Sequence, residues 1–339
     1  MRREKRILSA VIASAIMLLL ILDTQTAAAG AAEGIELCFK VVIPSLFPFF
    51  IVTTYLNASL LGMHIPGLSS LSSILNIPSG GESLLLLGLI GGYPVGAQLI
   101  ADAYRQGRLE KRTGQILLGY CSNAGPAFIF GVAGALFSSL WPPLVLWTIH
   151  LLSAVVTGFL LPRPVKSTMS FSTGRNVSIV QALQKSISIC ASVCGWIVVF
   201  KIILAYFVLF AGGFLNSAYM LLLSGILELS NGCFQLGKIS AESTRFILCS
   251  VFLAFGGVCV LLQTLSVTDG LGMGLYLPGK LMQSCISLFF ALGAQFFLFP
   301  SDHTSVRAAL YMMLLSVAAL MGFKILAEKS CGNPKKNHV

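Results

Sequence analysis

The sequence predicts an all-α polytopic membrane protein with inverted structural repeats, about eight transmembrane helices and two re-entrant hairpins made of broken helices. Three observations lead to this prediction. Of 339 residues, 56% are hydrophobic and 10% are charged, and the mean hydropathy is +0.88. Several apolar runs approach the length that spans a bilayer. Two of these runs are broken at corresponding places, and basic clusters constrain on which side each run begins and ends.

Ten apolar segments follow one another between polar or helix-breaking residues. The first half contains Ile7 to Leu22, Glu36 to Leu61, Glu82 to Ala103, Thr113 to Phe137 and Leu144 to Leu161. The second half contains Ile179 to Phe210, Ala218 to Leu236, Arg245 to Val267, Lys280 to Phe299 and Val306 to Ile325.

These segments indicate five regions. They are an N-terminal signal-anchor helix and loop (1–34), a first membrane repeat (35–161), a cytoplasmic linker (162–177), a second membrane repeat (178–300), and a C-terminal transmembrane helix with a basic tail (301–339). The basic N-terminus, the first apolar run and Ala27-Ala28-Ala29 also fit a cleaved secretory signal. The many later spans favour an uncleaved first helix.

The two halves resemble copies of one another. Gly88 and Gln98 align without a gap with Gly225 and Gln235, and Gly125-Pro126 occupies the place of Gly256-Gly257. Matches between apolar segments arise easily by chance, so these polar and glycine positions and the shared order of segments carry the comparison.

Basic residues predict the orientation of the repeats. The clusters at 2–6, 105–112, 163–175 and 329–336 should all face the cytoplasm, which also places both termini there. This fails if every segment crosses the membrane, because an odd number of segments separates some clusters. Making Glu82 to Ala103 and Ala218 to Leu236 re-entrant restores the rule and turns the second repeat upside down relative to the first. The alternative lets every segment cross and accepts the violations.

The two hairpins would turn at Gly91-Gly92-Tyr93-Pro94-Val95-Gly96 and at Glu228-Leu229-Ser230-Asn231-Gly232. A broken helix at bilayer depth leaves polar backbone groups unsatisfied unless they are buried in protein or line a watery cavity. Transporters place binding sites at such breaks, although a tight turn is the simpler explanation. The candidate substrate-binding residues are Gly91, Gly92, Tyr93, Pro94, Gly96, Gln98, Ser122, Asn123, Gly125, Glu228, Ser230, Asn231, Gly232 and Gln235.

Glu228 is the sharpest single candidate. A carboxylate among leucines at bilayer depth is costly unless it is paired or faces water, so contact with a ligand or a proton is the first interpretation. The alternative is a structural carboxylate that caps the amides of a half-helix. Lys201 is a possible partner, although it is more typical of a lysine that extends to the interface.

Other classes of function are disfavoured. The four histidines are scattered, and no hydrolase, metalloprotease or phosphate-loop motif occurs, so we expect no enzyme and no cofactor. His150 fits an interhelical hydrogen bond better than a ligand. The nine cysteines have no paired Cys-x-x-Cys spacing and indicate no metal site. The net charge of +10 comes from basic residues at the N-terminus, in short loops and in the tail, where they act as signals of membrane orientation. No nucleic-acid binding is therefore expected.

The motifs also resemble a known family. They are Pro44-Ser45-Leu46-Phe47-Pro48-Phe49-Phe50, Gly91-Gly92-Tyr93-Pro94-Val95-Gly96-Ala97, Cys121-Ser122-Asn123-Ala124-Gly125-Pro126-Ala127-Phe128-Ile129-Phe130-Gly131 and Leu227-Glu228-Leu229-Ser230-Asn231-Gly232. Together they resemble the YlbJ-like sporulation integral membrane proteins, which carry the Gate, or nucleoside-recognition, domain. The resemblance implies a cell-membrane protein of spore-forming bacteria that is linked to the spore cortex. Ala97-Gln98 and Ser122-Asn123 depart from the common pattern, and the resemblance supplies no substrate.

We therefore expect a secondary transporter or gated pore for a small polar or anionic solute, with a midplane site between the repeats. Its expected partners are the lipid bilayer, an unknown small solute and a coupling ion, either a proton or sodium. The sequence is compatible with a monomer or an oligomer. The alternative is a non-transporting membrane scaffold for assembly of the spore cortex and envelope.

Overall fold

A computed structural model of the protein describes residues 2–60, 63, 65–75, 77–78, 80–163 and 178–331. Most of the predicted linker, 164–177, and the end of the basic tail, 332–339, lie outside the described residues. Within these ranges every regular element is helical. This confirms the predicted all-α class.

The described part of the first half contains nine α-helices, with a π-helical turn at Cys38–Val42 that joins α2 to α3 and a 3-10 turn at Ala133–Leu136. They are α1 (Arg2–Leu22), α2 (Thr24–Leu37), α3 (Ile43–Leu60), α4 (Ser69–Ile74), α5 (Glu82–Ile90), α6 (Val95–Arg105), α7 (Lys111–Leu118), α8 (Pro126–Gly131) and α9 (Trp141–Leu160).

The second half contains seven α-helices in its described part. They are α10 (Ile179–Ala211), α11 (Ser217–Leu227), α12 (Leu229–Leu236), α13 (Glu242–Phe255), α14 (Gly257–Val267), α15 (Tyr276–Leu298) and α16 (Val306–Cys331).

Six helical stretches of the described chain are long and apolar enough to cross a membrane: Thr24–Asn57, Trp141–Leu160, Ile179–Ala211, Glu242–Val267, Tyr276–Leu298 and Val306–Lys329. They correspond to six of the eight predicted crossings. The predicted segment Thr113 to Phe137 is instead divided into α7, an unwound stretch and α8, while α1 provides a shorter apolar helix over Arg6–Leu22. The chain is a multi-pass membrane protein.

The second predicted span begins earlier than its sequence suggested. Ala27-Ala28-Ala29 lies inside α2, which starts at Thr24 after Asp23 accepts a hydrogen bond from the Thr26 amide. Gly30 and Gly34 let α2 lie directly against α10, since a Cβ added at Gly34 would be 2.9 Å from the Val198 Cα. Small residues at such an interface allow close backbone approach in lipid.

Both predicted breaks fold the chain back on itself. A Cβ added at Gly96 would be 3.1 Å from the Cα of Gly88, eight residues earlier, and a Cβ added at Gly232 would meet the Cα of Gly225. Residues seven or eight apart in a continuous helix are separated by about 10–12 Å along its axis. Helices α5 and α6 therefore form one hairpin of half-helices, and α11 and α12 form another.

The open ends of the two hairpins lie at opposite ends of a span-length pair of helices, α13 and α14. Arg105, at the end of α6, donates to the Val267 carbonyl at the end of α14 and pairs with Asp102 at 2.6 Å. Lys185, near the start of α10, contacts the same Asp102 at 3.1 Å. Helix α12 is instead followed by α13, so its end lies near the opposite end of the pair. Arg245, near the start of α13, donates to the Leu136 carbonyl.

Candidate functional site

The first break consists of the residues between α5 and α6. Gly92 has φ +81, a conformation that side chains with a Cβ rarely adopt, and the Tyr93–Pro94 peptide is cis. Gly92 also lies against Gly125, where a Cβ would be 2.9 Å from the Gly92 Cα. The Tyr93 hydroxyl donates to the Leu253 carbonyl on α13 at 3.3 Å. The first hairpin tip is therefore anchored by neighbouring elements.

The second break is a single extended residue, Glu228, between α11 and α12. Its side chain is 2% exposed, and its two carboxylate oxygens accept hydrogen bonds from the backbone amides of Ser230 (2.9 Å) and Asn231 (2.6 Å). These amides belong to the first turn of α12 and have no partner within the helix. The carboxylate thus caps α12, as the structural alternative predicted.

Each half contributes one more break. In the first half the chain is unwound from Ser122 to Gly125 before Pro126 begins α8. In the second half Gly256, with φ +81, separates α13 from α14. The aligned pairs Gly125-Pro126 and Gly256-Gly257 thus both lie at helix breaks. The Gly256 site faces the ring of Tyr93, with an added Cβ 3.3 Å from Cζ, so breaks from both halves meet.

A buried cavity lies where the breaks converge. Its volume, counted as space for the centres of water molecules, is about 40 Å³, enough for a few waters. Much of its wall is apolar, from α3, α8, α10 and α14, including Phe50, Phe128 and Ile197. The candidate residues on its wall are Gly91, Gly92, Tyr93, Gly125, Glu228 and Ser230; Gln263 of α14 lies there too.

Asn123 is buried behind this wall and acts as a hydrogen-bonding centre. Its amide nitrogen donates to the carbonyls of Tyr120 (2.7 Å) and Gly88 (3.2 Å), which fixes the unwound stretch to the first hairpin. Its amide oxygen accepts from Gln283 at 2.9 Å and from Lys280 at 3.3 Å. The next residue, Ala124, donates its amide to His150 Nε2 at 3.0 Å. The sequence predicts an interhelical bond for this histidine, but its partner is the unwound backbone between α7 and α8.

Lys280 is a functional candidate that the sequence reasoning missed. The sequence predicts an apolar segment that starts at Lys280, but α15 begins at Tyr276, so Lys280 lies inside the helix and is 0% exposed. Its ammonium nitrogen is 2.7 Å from Gln283 Oε1, 5.3 Å from the centre of the Tyr93 ring and 6.0 Å from that of Tyr276. A single lysine at a segment boundary carries no signal of burial, and only the earlier start of the helix reveals it.

The remaining candidates are not on the cavity wall. Pro94 precedes α6, Gly96 and Gly232 form the hairpin contacts, and Ser122 and Asn231 are buried beside the breaks. Gln98 lies on α6, and Gln235 borders two other pockets, one shared with α2 and one within the second half. Lys201 pairs with Glu33 of α2 at 3.2 Å, so its contact partner is Glu33 and not Glu228.

Fold and site together define a class: multi-pass helical membrane proteins in which half-helices fold back around a buried cavity. The chain is similar to the sporulation integral membrane protein YlbJ of Bacillus subtilis (strain 168), with 27% identity over 137 residues. The match covers 40% of this chain and 34% of that protein's length. It confirms the resemblance indicated by the motifs. No family model matches the chain, and no solved structure matches it.

Proposed function

We propose that the protein is a secondary transporter or gated pore for a small polar or anionic solute, which binds at the central cavity. The observation that carries the proposal is the convergence of helix breaks from both halves on one buried space. Gly91, Gly92, Tyr93 and Gly125 approach it from the first half, and Glu228 and Ser230 from the second. Transporters with internal repeats build their sites in this way.

The composition of the wall favours a small polar solute. A mostly apolar cavity with a few convergent polar groups is typical of ligand sites. Here the polar groups are Glu228, Ser230, Gln263 and the backbone of the glycine-rich break. The cavity has room for only a few waters, so relative movement of the halves would have to enlarge it before a solute could bind.

The opposite placement of the two hairpin ends supports inverted repeats with re-entrant hairpins and cytoplasmic termini. Arg105 lies at the Val267 end of the α13–α14 pair, while α12 leads to its Arg245 end. Single cysteines test this arrangement through their reaction with a membrane-impermeant thiol reagent. Gln106→Cys should be labelled only from the cytoplasm and Lys238→Cys only from outside, in a background lacking the native cysteines. Labelling of both from one side would contradict it.

Transport is tested with purified protein in vesicles, using labelled nucleosides, dicarboxylates and inorganic phosphate as separate probes. We expect uptake of at least one probe, and Glu228→Gln should reduce it at least about tenfold, because the carboxylate faces the cavity. Glu36→Gln, which changes an exposed carboxylate on α2, is the matched control. Unchanged flux for Glu228→Gln would overturn the role of the cavity.

A role in spore formation follows from the name of the similar protein, and it also admits the scaffold as an alternative. The two are separated by complementation in a spore-forming bacterium that lacks its relative. A transporter should fail when Glu228 or Asn123 is changed. A scaffold should tolerate both changes in variants that still accumulate in the membrane at wild-type levels, and should fail instead when the basic loop at 105–112 is altered.

A further inference from the structure

Among the residues that the structure describes, Lys280 has no carboxylate partner. Within the part of the chain that the structure describes, the ion pairs of lysine and arginine involve other residues, and the hydrogen bonds of Lys280 Nζ go only to the amide oxygens of Asn123 and Gln283. A fixed positive charge buried in a membrane segment is costly and marks ion or proton pathways by default.

The hydrogen bonds around Nζ suit both protonation states. A neutral lysine amine has two N–H donors, and two amide oxygens receive them at 2.7 and 3.3 Å. The ammonium form has one more N–H, and the faces of Tyr93 and Tyr276 at 5.3 and 6.0 Å can stabilise its charge. A proton can therefore leave or arrive without breaking a hydrogen bond to an oxygen.

Glu228 lacks this freedom. Both of its oxygens accept backbone amides, and protonation would remove an acceptor from the first turn of α12. The Glu228 carboxylate is thus occupied in capping α12, whereas the Lys280 amine is not held by a counter-ion. The groups with titratable protons that face Lys280 from the packed elements are Tyr93, Cys121, His150 and Tyr276, none of which is a carboxylic acid.

We propose that Lys280 is the proton-binding residue that couples transport, with Tyr93 as its link to the cavity. Tyr93 touches both places, since its ring lies beside Nζ and it also lines the cavity that contains Glu228. In the coupling step the ammonium N–H bond breaks, the electron pair stays on nitrogen, and a water that reaches Nζ when the halves move apart takes the proton. The reverse step recharges the amine from the other side. This inference rests on the proposed transport function and names its coupling ion.

Proton binding is tested directly by potentiometric titration of the purified protein, with protons as the only ligand. Between about pH 9 and about pH 5, wild type should take up about one proton more than Lys280→Met, although a lysine in water keeps its proton over this range. Lys111→Met, which removes an exposed lysine at the start of α7, should match wild type. Equal uptake by wild type and Lys280→Met would overturn the proposal.

A second variant covers the case in which Lys280→Met does not fold. Gln283→Glu keeps the lysine and places a carboxylate at the 2.7 Å contact, so the lysine should remain charged through the range. Lysine-specific nitrogen NMR then reads the lysine alone: wild type should show one buried Nζ resonance that moves over this pH range, and Gln283→Glu should not. A wild-type spectrum without a moving resonance would also overturn the proposal.

Flux measurements separate this proposal from the transport proposal. If Lys280 couples, Lys280→Arg, which is always charged, should abolish uptake driven by a pH gradient, while solute exchange without a gradient persists in Lys280→Met. Proton uptake without flux of any probe would refute the transport function and the coupling role with it. Flux that keeps its dependence on the pH gradient in both variants would refute only the role of Lys280.

Discussion

Both hairpins fold the chain back on itself, but their tips differ in backbone conformation and in means of support. The second tip has a local cap, because Glu228 accepts from the first amides of the helix that follows it. Gly225 and Gly232 also meet within this hairpin, and Phe252 of α13 packs against Gly225. The first has no side-chain cap on α6 and depends on Gly125, Leu253 and Asn123 from elsewhere in the fold. Corresponding breaks in the two halves can thus be stabilised either by a local cap or by residues from distant parts of the chain.

The largest expected effect on stability tests the close glycine packing that the two hairpins share. Gly88→Ala would place a Cβ 2.5 Å from the Cys121 carbonyl oxygen, and Gly232→Ala would place one against the Gly225 Cα. Because both clashes are with backbone, each should destabilise the protein by about 3 kcal/mol and lower the melting temperature of the detergent-purified protein. Gly195→Ala on α10, where a Cβ meets nothing within 4 Å, should have little effect or stabilise. Similar melting temperatures for all three variants would mean that the hairpins are not closely packed.

The next largest effect on stability tests whether only the first tip depends on the Asn123 hydrogen-bond network. Asn123→Ala removes the group that joins Gly88, Lys280 and Gln283, and leaves their polar atoms buried without this partner. We expect a loss of about 2–3 kcal/mol in the free energy of unfolding. Asn231→Ala, at the second tip, is the matched control, because the Asn231 side-chain oxygen has no hydrogen-bond partner among the described residues. Equal losses in chemical denaturation would show that the first tip has no special dependence on the network.

A smaller effect measures the local support of the second tip. Glu228→Ala removes both acceptors from the first turn of α12 and should cost about 2 kcal/mol, whereas Glu228→Gln keeps one acceptor and should cost about 1 kcal/mol. Hydrogen exchange should locate the change in the amides of Ser230 and Asn231. Uniform loss of protection across the first hairpin as well would contradict local capping.

The smallest effect concerns the link between the halves. Tyr93→Phe removes only the 3.3 Å hydrogen bond to the Leu253 carbonyl and keeps the ring next to Lys280. The expected loss is about 1 kcal/mol or less. Tyr219→Phe, at an exposed position on α11, gives the baseline in the same thermal measurement. A loss several times larger would mean that the hydroxyl contributes more than this one bond.

Much of the helical pattern was predictable because apolar runs and helix breakers act locally. The predicted Ile179 to Phe210 is observed as Ile179–Ala211, and both predicted turns fall at observed breaks. The site was less predictable. The aligned pair Gln98 and Gln235 looked as informative as Gly88 and Gly225, yet neither glutamine lines the cavity. A glycine's role follows from backbone geometry, while the direction of a glutamine side chain depends on helix rotation.

The sequence by itself determined a helical membrane protein with paired breaks, since hydropathy, glycine, proline and one acidic residue are sufficient to indicate where helices form and fail. Only the tertiary structure decided the chemistry at those breaks. In the folded protein Glu228 accepts from backbone amides, and Lys201 pairs with Glu33 instead of Glu228. Lys280 is buried between Asn123, Gln283 and two tyrosines. These partners are up to 168 residues apart in the chain, and helix packing, which no local pattern encodes, brings them together.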